Sequence, residues 1–215
     1  MRTGRWVYLN REGAMNDLAG RLLEQAPVYR LWQAPFADQK FAPVLAHNQM
    51  ERVRRVLDVG CGPGTNAKYF AQSEYLGVDI NPDYIQDARQ RYRREFVACD
   101  VRTYRPPAGA RFDFVLVNSF LHHLNTSEVE SILLHLNTLL TADGHVHILE
   151  LVMPSHASIS RLLARWDRGQ YARPLAEWQH IFSTIFKPVL FQPYPLTGMG
   201  LTLWNMIYFK GTARP

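Results

Sequence analysis

Ten residues, Val56-Leu57-Asp58-Val59-Gly60-Cys61-Gly62-Pro63-Gly64-Thr65, constrain this 215-residue chain more than any other stretch. The short run Arg54-Arg55-Val56-Leu57 enters a turn with glycine at 60, 62 and 64. The run reads as a buried strand and the glycines as a tight strand-to-helix turn. So many glycines leave little side-chain bulk, and a ligand can lie against bare backbone. A second strand, Tyr75-Leu76-Gly77-Val78-Asp79, ends in an acid 15 residues past Gly64. The pairing predicts parallel strands with a ligand across their carboxyl ends and the acid on ribose hydroxyls.

The spacing narrows the ligand. A dinucleotide fingerprint places its third glycine three residues after the second, whereas here the order is G-x-G-x-G. A Walker-type loop needs Lys and Ser/Thr after its glycines, and neither is in place. Asp58, inside the strand end, repels a pyrophosphate and suits a ligand with an amino or sulfonium cation. The string Leu57 to Gly64 resembles the first motif of the class I S-adenosylmethionine-dependent methyltransferases, in their small-molecule branch of the type 11/12 kind. The resemblance covers about residues 50 to 210 and is firmest from 55 to 125. It implies S-adenosyl-L-methionine as cofactor and a methyl-transferring enzyme.

Composition agrees with a single domain over 1–215 with a full core: 47% of residues are apolar and 12% aromatic, which excludes a disordered chain. No apolar run reaches 18 residues, so no membrane span is expected. The start, Met1 to Trp6, has no apolar signal core, and the expected location is cytoplasmic. Two cysteines, Cys61 and Cys99, are too few for a metal cluster or disulfide framework. The formal net charge of +5 raises nucleic acid as a partner. Its densest cluster, Arg89, Arg91, Arg93 and Arg94, reads instead as a solvated helix face, with no nucleic-acid module beside it.

Residues 14–50 have a helical pattern cut by Pro27, Pro35 and Pro43, and the resemblance implies an N-terminal helical lid. Trp32, Phe36 and Phe41 line a pocket there or form the seam where this arm meets the body. From 54 onward strand and helix alternate. Strands are expected near 54–59, 75–79, 95–99, 112–118, 144–151, 187–194 and 201–209, and helices near 65–72, 82–93, 127–141 and 156–165. The last two strands are too close for a parallel crossover and must pair antiparallel. The expected fold class is α/β: a Rossmann-like, seven-stranded mixed sheet flanked by helices, with an antiparallel C-terminal hairpin.

By the resemblance, the backbone of Gly60, Cys61, Gly62 and Gly64 cradles the amino-acid end of the cofactor. Asp58 receives its ammonium directly or through water. Asp79 accepts both ribose hydroxyls, and Ile80 packs on the adenine. Asp100 accepts the adenine amino group and Val101 offers a backbone N–H. Asn118 and Phe120, after the fourth strand, line the cofactor from the far side.

Methyl transfer from a sulfonium mainly needs alignment of nucleophile, carbon and sulfur. A hydroxyl or acidic carbon must also lose a proton, which a histidine can take. His122 and His123 are the candidates, and their directions differ by about 100° on a helix start, so at most one faces the acceptor. The resemblance implies that the second of the pair ties the loop to the sheet. Glu150 is a second candidate base, or orients a positive acceptor. His145 and His147 share one strand face, but no third ligand lies nearby, so no metal is assigned. Residues 155–185 form an excursion that the resemblance places on the acceptor side. Tyr171, Arg173 and Trp178 are its candidate contacts, along with Trp32 of the lid, and Arg168 adds to its cationic character. Arg173 is the first choice for holding a carboxylate or phosphate.

The leading reading is methyl transfer to the oxygen, nitrogen or carbon of a small-molecule acceptor. The alternatives are an RNA or protein acceptor, and a non-methylating S-adenosylmethionine-binding protein. Membrane association is not expected, and the sequence leaves the oligomeric state open.

Overall fold

The computed structural model describes residues 36–107, 109–166 and 171–214. Gln39–Pro215 form one unit. The elements are α1 (Ala37–Ala46), β1 (Arg55–Val59), β2 (Glu74–Asp79), α2 (Pro82–Arg91), β3 (Glu95–Ala98), β4 (Phe112–Asn118), α3 (Thr126–Leu139), β5 (Leu140–Val152), α4 (Ile159–Trp166), α5 (Leu175–Ile185), β6 (Lys187–Gly198) and β7 (Leu201–Thr212). Short 3₁₀ turns occupy Met50–Arg52, Thr65–Phe70 and Leu121–His123.

One seven-stranded sheet has the order β3-β2-β1-β4-β5-β7-β6. The first five strands are parallel, while β7 pairs antiparallel with both β5 and β6. The expected fold class is thus the observed one. The chain builds outward from β1 through β2 to β3, then returns to place β4 on the other side of β1. That reversal opens a crevice at the carboxyl ends of β1 and β4, the position where open α/β sheets bind ligands.

Side-chain alternation along the strands divides the core into two layers. Leu57, Val115, Val117, Val146 and Ile148 face α3 and α5, which bury Val129, Leu133 and Leu136, and Trp178 and Phe182, against them. Val56, Phe114, Leu116 and Leu149 face the other way, onto Phe41 and Val44 of α1, Phe70, and Ile85 and Ala88 of α2. Phe41 stacks on Tyr69 with ring centroids 4.0 Å apart, so it belongs to a packing seam and not to a pocket.

Local chemistry sets the helix starts. Asn81 accepts hydrogen bonds from the backbone of Asp83 and Tyr84, and Pro82 fills the first turn, where a missing N–H costs nothing. Asn125 and Glu128 form a reciprocal capping box on α3. At the other margin, β6 is an edge strand carrying Pro188, Pro193 and Pro195, which blunt it against further strand pairing.

Some element expectations change. The helix expected over 65–72 is a six-residue 3₁₀ turn, entered from Gly64 at φ 78°. β5 begins at Leu140, not 144, because Leu140 pairs with Phe112 across a register shift in β4. The excursion near 155–185 contains α5, a helix of the core; Trp178, Ile181, Phe182 and Ile185 recur at helical spacing and are all buried. Residues 14–35 of the expected lid, including Trp32, and Arg168 lie outside the described residues. Among the described residues no helix is long and apolar enough to cross a membrane.

Candidate functional site

The glycine turn leaves β1 with Gly60 at φ 66°, a conformation that a side chain rarely tolerates. A Cβ there would also stand 2.6 Å from the Phe120 ring, so the close approach of Phe120 requires glycine. Gly62, at φ 53°, faces open space where a side chain would stand. This is bare backbone of the kind expected for a ligand cradle.

Asp79 at the end of β2 is held in place by that turn. The Gly62 N–H donates to its Oδ2 at 2.8 Å, and the Asn81 N–H donates to its Oδ1 at 2.9 Å. Each carboxylate oxygen keeps a further lone pair for a hydroxyl donor. Beside Asp79 opens a cavity of about 280 Å³ lined by Gly60, Asp79, Ile80, Asp100, Val101 and Phe120, all named from the sequence. Arg102, His123, Leu124, Glu128 and Ile132 complete much of its wall. Ile80 is 71% exposed, an apolar side chain presented at the mouth rather than packed away.

Asp58 does not reach this cavity. It has no exposed surface. Its carboxylate accepts hydrogen bonds from the Tyr75 hydroxyl and from Asn66 Nδ2. The expectation of direct contact with a ligand ammonium is therefore corrected, because the parallel register of β1 and β2 brings Tyr75 beneath the turn. Burial pushes the Asp58 carboxyl up to about 7, against the lowering effect of the Tyr75 and Asn66 hydrogen bonds and with a small push from Asp79. The polar chain continues: Asn66 Oδ1 accepts from Asn118 Nδ2 at 3.1 Å. Asn118 Oδ1 and the Ser119 hydroxyl are buried without a hydrogen-bond partner among the described residues. A buried, unpaired acceptor at the end of a chain that leads to a carboxyl fits an incoming ammonium. Cys61 is buried, and burial with the Asp58 and Asp79 charges raises its thiol pKa, so it serves as packing. Gly64 lies against the Phe96 ring, outside the cavity wall.

The histidines divide unequally. His122 is buried, and its Nδ1 pairs with Glu150 Oε1. Glu150 is itself fully buried, and it also accepts from the Leu121 N–H at 2.9 Å and the Leu151 N–H at 2.7 Å. Burial pushes the Glu150 carboxyl up, but His122 and the two backbone donors together outweigh it and leave the pKa lowered. It is thus the first histidine that ties the loop to the sheet, not the second as the resemblance implied. Glu150 spends its carboxylate on that tie and does not line the cavity. His123 is exposed and lines the cavity. On β5, His147 is packed against Phe114 and Tyr208, and burial holds its pKa well below that of free imidazole.

The acceptor-side candidates separate as well. Trp178 has no exposed surface and donates Nε1–H to the Leu151 carbonyl at 2.8 Å, so it is core and not wall. Arg173 is buried too. Its guanidinium donates to the carbonyls of Tyr171 and Leu124 and to the Thr126 hydroxyl, pairs with Glu177 at 3.0 Å, and lies over the Trp178 ring. These contacts leave it no fork for a carboxylate or phosphate, and the substrate expectation for Arg173 is corrected. Tyr171 is 42% exposed and stays available to a ligand. Sequence reasoning missed Tyr75, Asn66, Arg102 and Glu128. Arg102 had a local signal, since it follows Asp100 at a spacing that suits a turn-type ion pair.

A profile of the methyltransferase domain family matches residues 56–144. A trans-aconitate 2-methyltransferase of Rhodopseudomonas palustris (strain BisB18) is 27% identical over 186 residues, covering 80% of this chain and 70% of that protein. Among solved structures, the N-methyltransferase NodS of Bradyrhizobium japonicum WM9, in complex with S-adenosylhomocysteine, superposes with a TM-score of 0.69 at 16% identity, over 93% of this chain and 98% of that one. The 1,6-didemethyltoxoflavin-N1-methyltransferase of Burkholderia thailandensis gives a TM-score of 0.62 at 23% identity, over 95% and 93%. At these identities the two structural likenesses concern the fold.

Proposed function

We propose that this chain, which belongs to the class I S-adenosylmethionine-dependent methyltransferases, methylates a small-molecule acceptor with His123 as the proton-accepting group. The observation that carries the reading is the cavity shared by Gly60, Asp79, Ile80, Asp100 and His123. In this reading Asp79 takes the ribose hydroxyls, and Ile80 and Val101 enclose the adenine, whose amino group goes to Asp100. The orphaned Asn118 Oδ1 takes the ammonium, with Asp58 acting on that charge through Asn66 and not by contact. When bound, the cofactor supplies a methyl group already activated on its sulfonium. His123 is the exposed member of the histidine pair, and it accepts the proton of a hydroxyl or carbon acid. The buried pair of His122 and Glu150 fixes the backbone that presents it.

The acceptor screen begins with polycarboxylates, because relatives matched along most of the chain are named trans-aconitate 2-methyltransferase. Alcohols, carbon acids and amines follow, with S-adenosylhomocysteine formation as the readout. Once an acceptor is found, His123→Ala should lower kcat by about 10²-fold with cofactor affinity unchanged. A folded variant at the wild-type rate would remove the base and point to an acceptor, such as a carboxylate, that is already ionised. The net charge of +5 favours one second reading, an RNA or protein acceptor, which a screen returning only macromolecules would put first.

A further inference from the structure

We infer that Arg102 is a displaceable gate on the adenine subsite, handed from Asp100 to Glu128 when a ligand's exocyclic amine arrives. The inference rests on the assignment of that amine to Asp100. Asp100 is the group on which the assignment depends, yet both of its carboxylate oxygens are already engaged by Arg102. Oδ1 accepts from the Arg102 backbone N–H at 2.9 Å and from Arg102 Nε at 3.0 Å. Oδ2 accepts from the same Nε at 2.9 Å and from Nη2 at 2.5 Å. A carboxylate offers about four lone-pair sites, and three N–H groups of this one residue engage them, the single Nε–H being shared between both oxygens. A further donor arriving at Asp100 competes with the guanidinium for both oxygens, and binds best once the guanidinium yields part of its hold.

A second carboxylate stands ready to receive it. Arg102 Nη1 lies 4.0 Å from Glu128 Oε1, about 1 Å beyond the distance of a charge-assisted hydrogen bond. The other oxygen of Glu128, Oε2, is fixed by the Asn125 N–H at 3.0 Å in the capping box of α3. Glu128 is therefore anchored at one oxygen and turned toward the arginine with the other. All of Asp100, Arg102 and Glu128 line the same cavity, so the transfer takes place within its wall. Solvent lowers the cost of moving. The Arg102 and Asp100 side chains are 45% and 26% exposed, so water screens the pair, and the arginine keeps a carboxylate partner as it moves. The backbone N–H of Arg102 stays on Oδ1 throughout, holding the carboxylate in position while the side chain leaves. At the end of the exchange Asp100 has lost a guanidinium and gained a neutral amine, and Arg102 has kept a carboxylate partner.

Calorimetric titration with S-adenosylhomocysteine tests the gate without requiring turnover or a known acceptor. Arg102→Ala removes the competitor for Asp100 and should tighten binding by about 2- to 5-fold. Glu128→Gln preserves the capping box, because glutamine serves it as well as glutamate. It deprives the displaced arginine of its charged destination, so it should weaken binding by about 2- to 5-fold in the wild-type background and have no effect in the Arg102→Ala background. Arg102→Lys, which keeps the charge but not the fork, should fall between wild type and Arg102→Ala. Weaker binding in Arg102→Ala would make the arginine a direct ligand contact and overturn the gate. An equal effect of Glu128→Gln in both backgrounds would overturn the handover. Wild-type protein that does not bind S-adenosylhomocysteine at all would instead remove the subsite assignment beneath the inference, an outcome distinct from either.

Discussion

Asp58 has no exposed surface, and its carboxyl is raised from 3.8 to about 7. Between about pH 4 and pH 7 the folded chain keeps a proton on Asp58 that the unfolded chain has already lost. Stability therefore falls as pH rises through that window, and the loss is complete above it. At about 1.4 kcal/mol for each pH unit, the displacement sets a ceiling of about 4 kcal/mol. Glu150 acts in the opposite sense. Its lowered pKa gives stability that is present above the ordinary carboxylate value and is lost as pH drops through the lower, folded one. The two windows lie on either side of about pH 4, so they can be read apart. Asp58→Asn keeps an acceptor for Asn66 and removes the ionisation. Urea titrations at pH 4.5, 6, 7 and 8 should show the variant gaining on wild type as pH rises, with the difference levelling off above pH 7. A difference that does not change with pH would mean that Asp58 ionises freely under the turn. In the proposed binding mode the cofactor's positive charge opposes this cost, which would give a buried acid a reason to stand behind the ammonium.

Helix α5 shows how far a site can be read before packing is known. Trp178, Ile181, Phe182 and Ile185 lie at the spacing of a helix face, a signal present in the sequence and masked by the cationic and aromatic residues just before it. Those residues suggested an acceptor wall. Whether Arg173 and Trp178 face a ligand or the core depends on how α5 docks against α3 and β5, and contacts so distant in sequence leave no local trace. The glycine turn and Asp79 were legible for the opposite reason: their geometry is set by a few consecutive residues and one strand pairing. Asp100 was legible as a cavity residue, but its occupation by Arg102 was not inferred, because a polar pair two residues apart has several outcomes in a loop. The burial of Trp178 carries a stability prediction. Its ring stacks on Phe182 with centroids 5.2 Å apart, and its Nε1–H satisfies the Leu151 carbonyl. Trp178→Ala opens a cavity and orphans that carbonyl, so it should cost about 3–5 kcal/mol in urea unfolding. A loss below about 1 kcal/mol, with an altered acceptor KM instead, would return Trp178 to the binding wall.

At the scale of the molecule, the order of strands decides what a ligand does to the fold. The alternation of strand and helix made a parallel sheet legible, and the short connection before β7 made the terminal hairpin legible. The reversal beside β1 follows from that order, and it gathers the ends of β1, β2 and β3 with the loop after β4 around one cavity. Those segments meet only in the folded chain, so a ligand bound there has nothing to hold in the unfolded one. Its binding must raise stability by RT ln(1 + [L]/Kd), about 2.7 kcal/mol when the free ligand is at 100 times Kd. For a domain of this size each kcal/mol moves the midpoint by about 2–4 °C, so saturating S-adenosylhomocysteine should raise Tm by about 5–11 °C. In Asp79→Ala the Gly62 and Asn81 N–H groups lose their carboxylate and, in the proposed binding mode, the ribose loses its acceptor. The variant should fold with a lower Tm of its own and respond little to the ligand at the same concentration. A full shift in Asp79→Ala would place the ligand elsewhere on the chain. No shift in wild type would mean that the cavity at the reversal does not hold it.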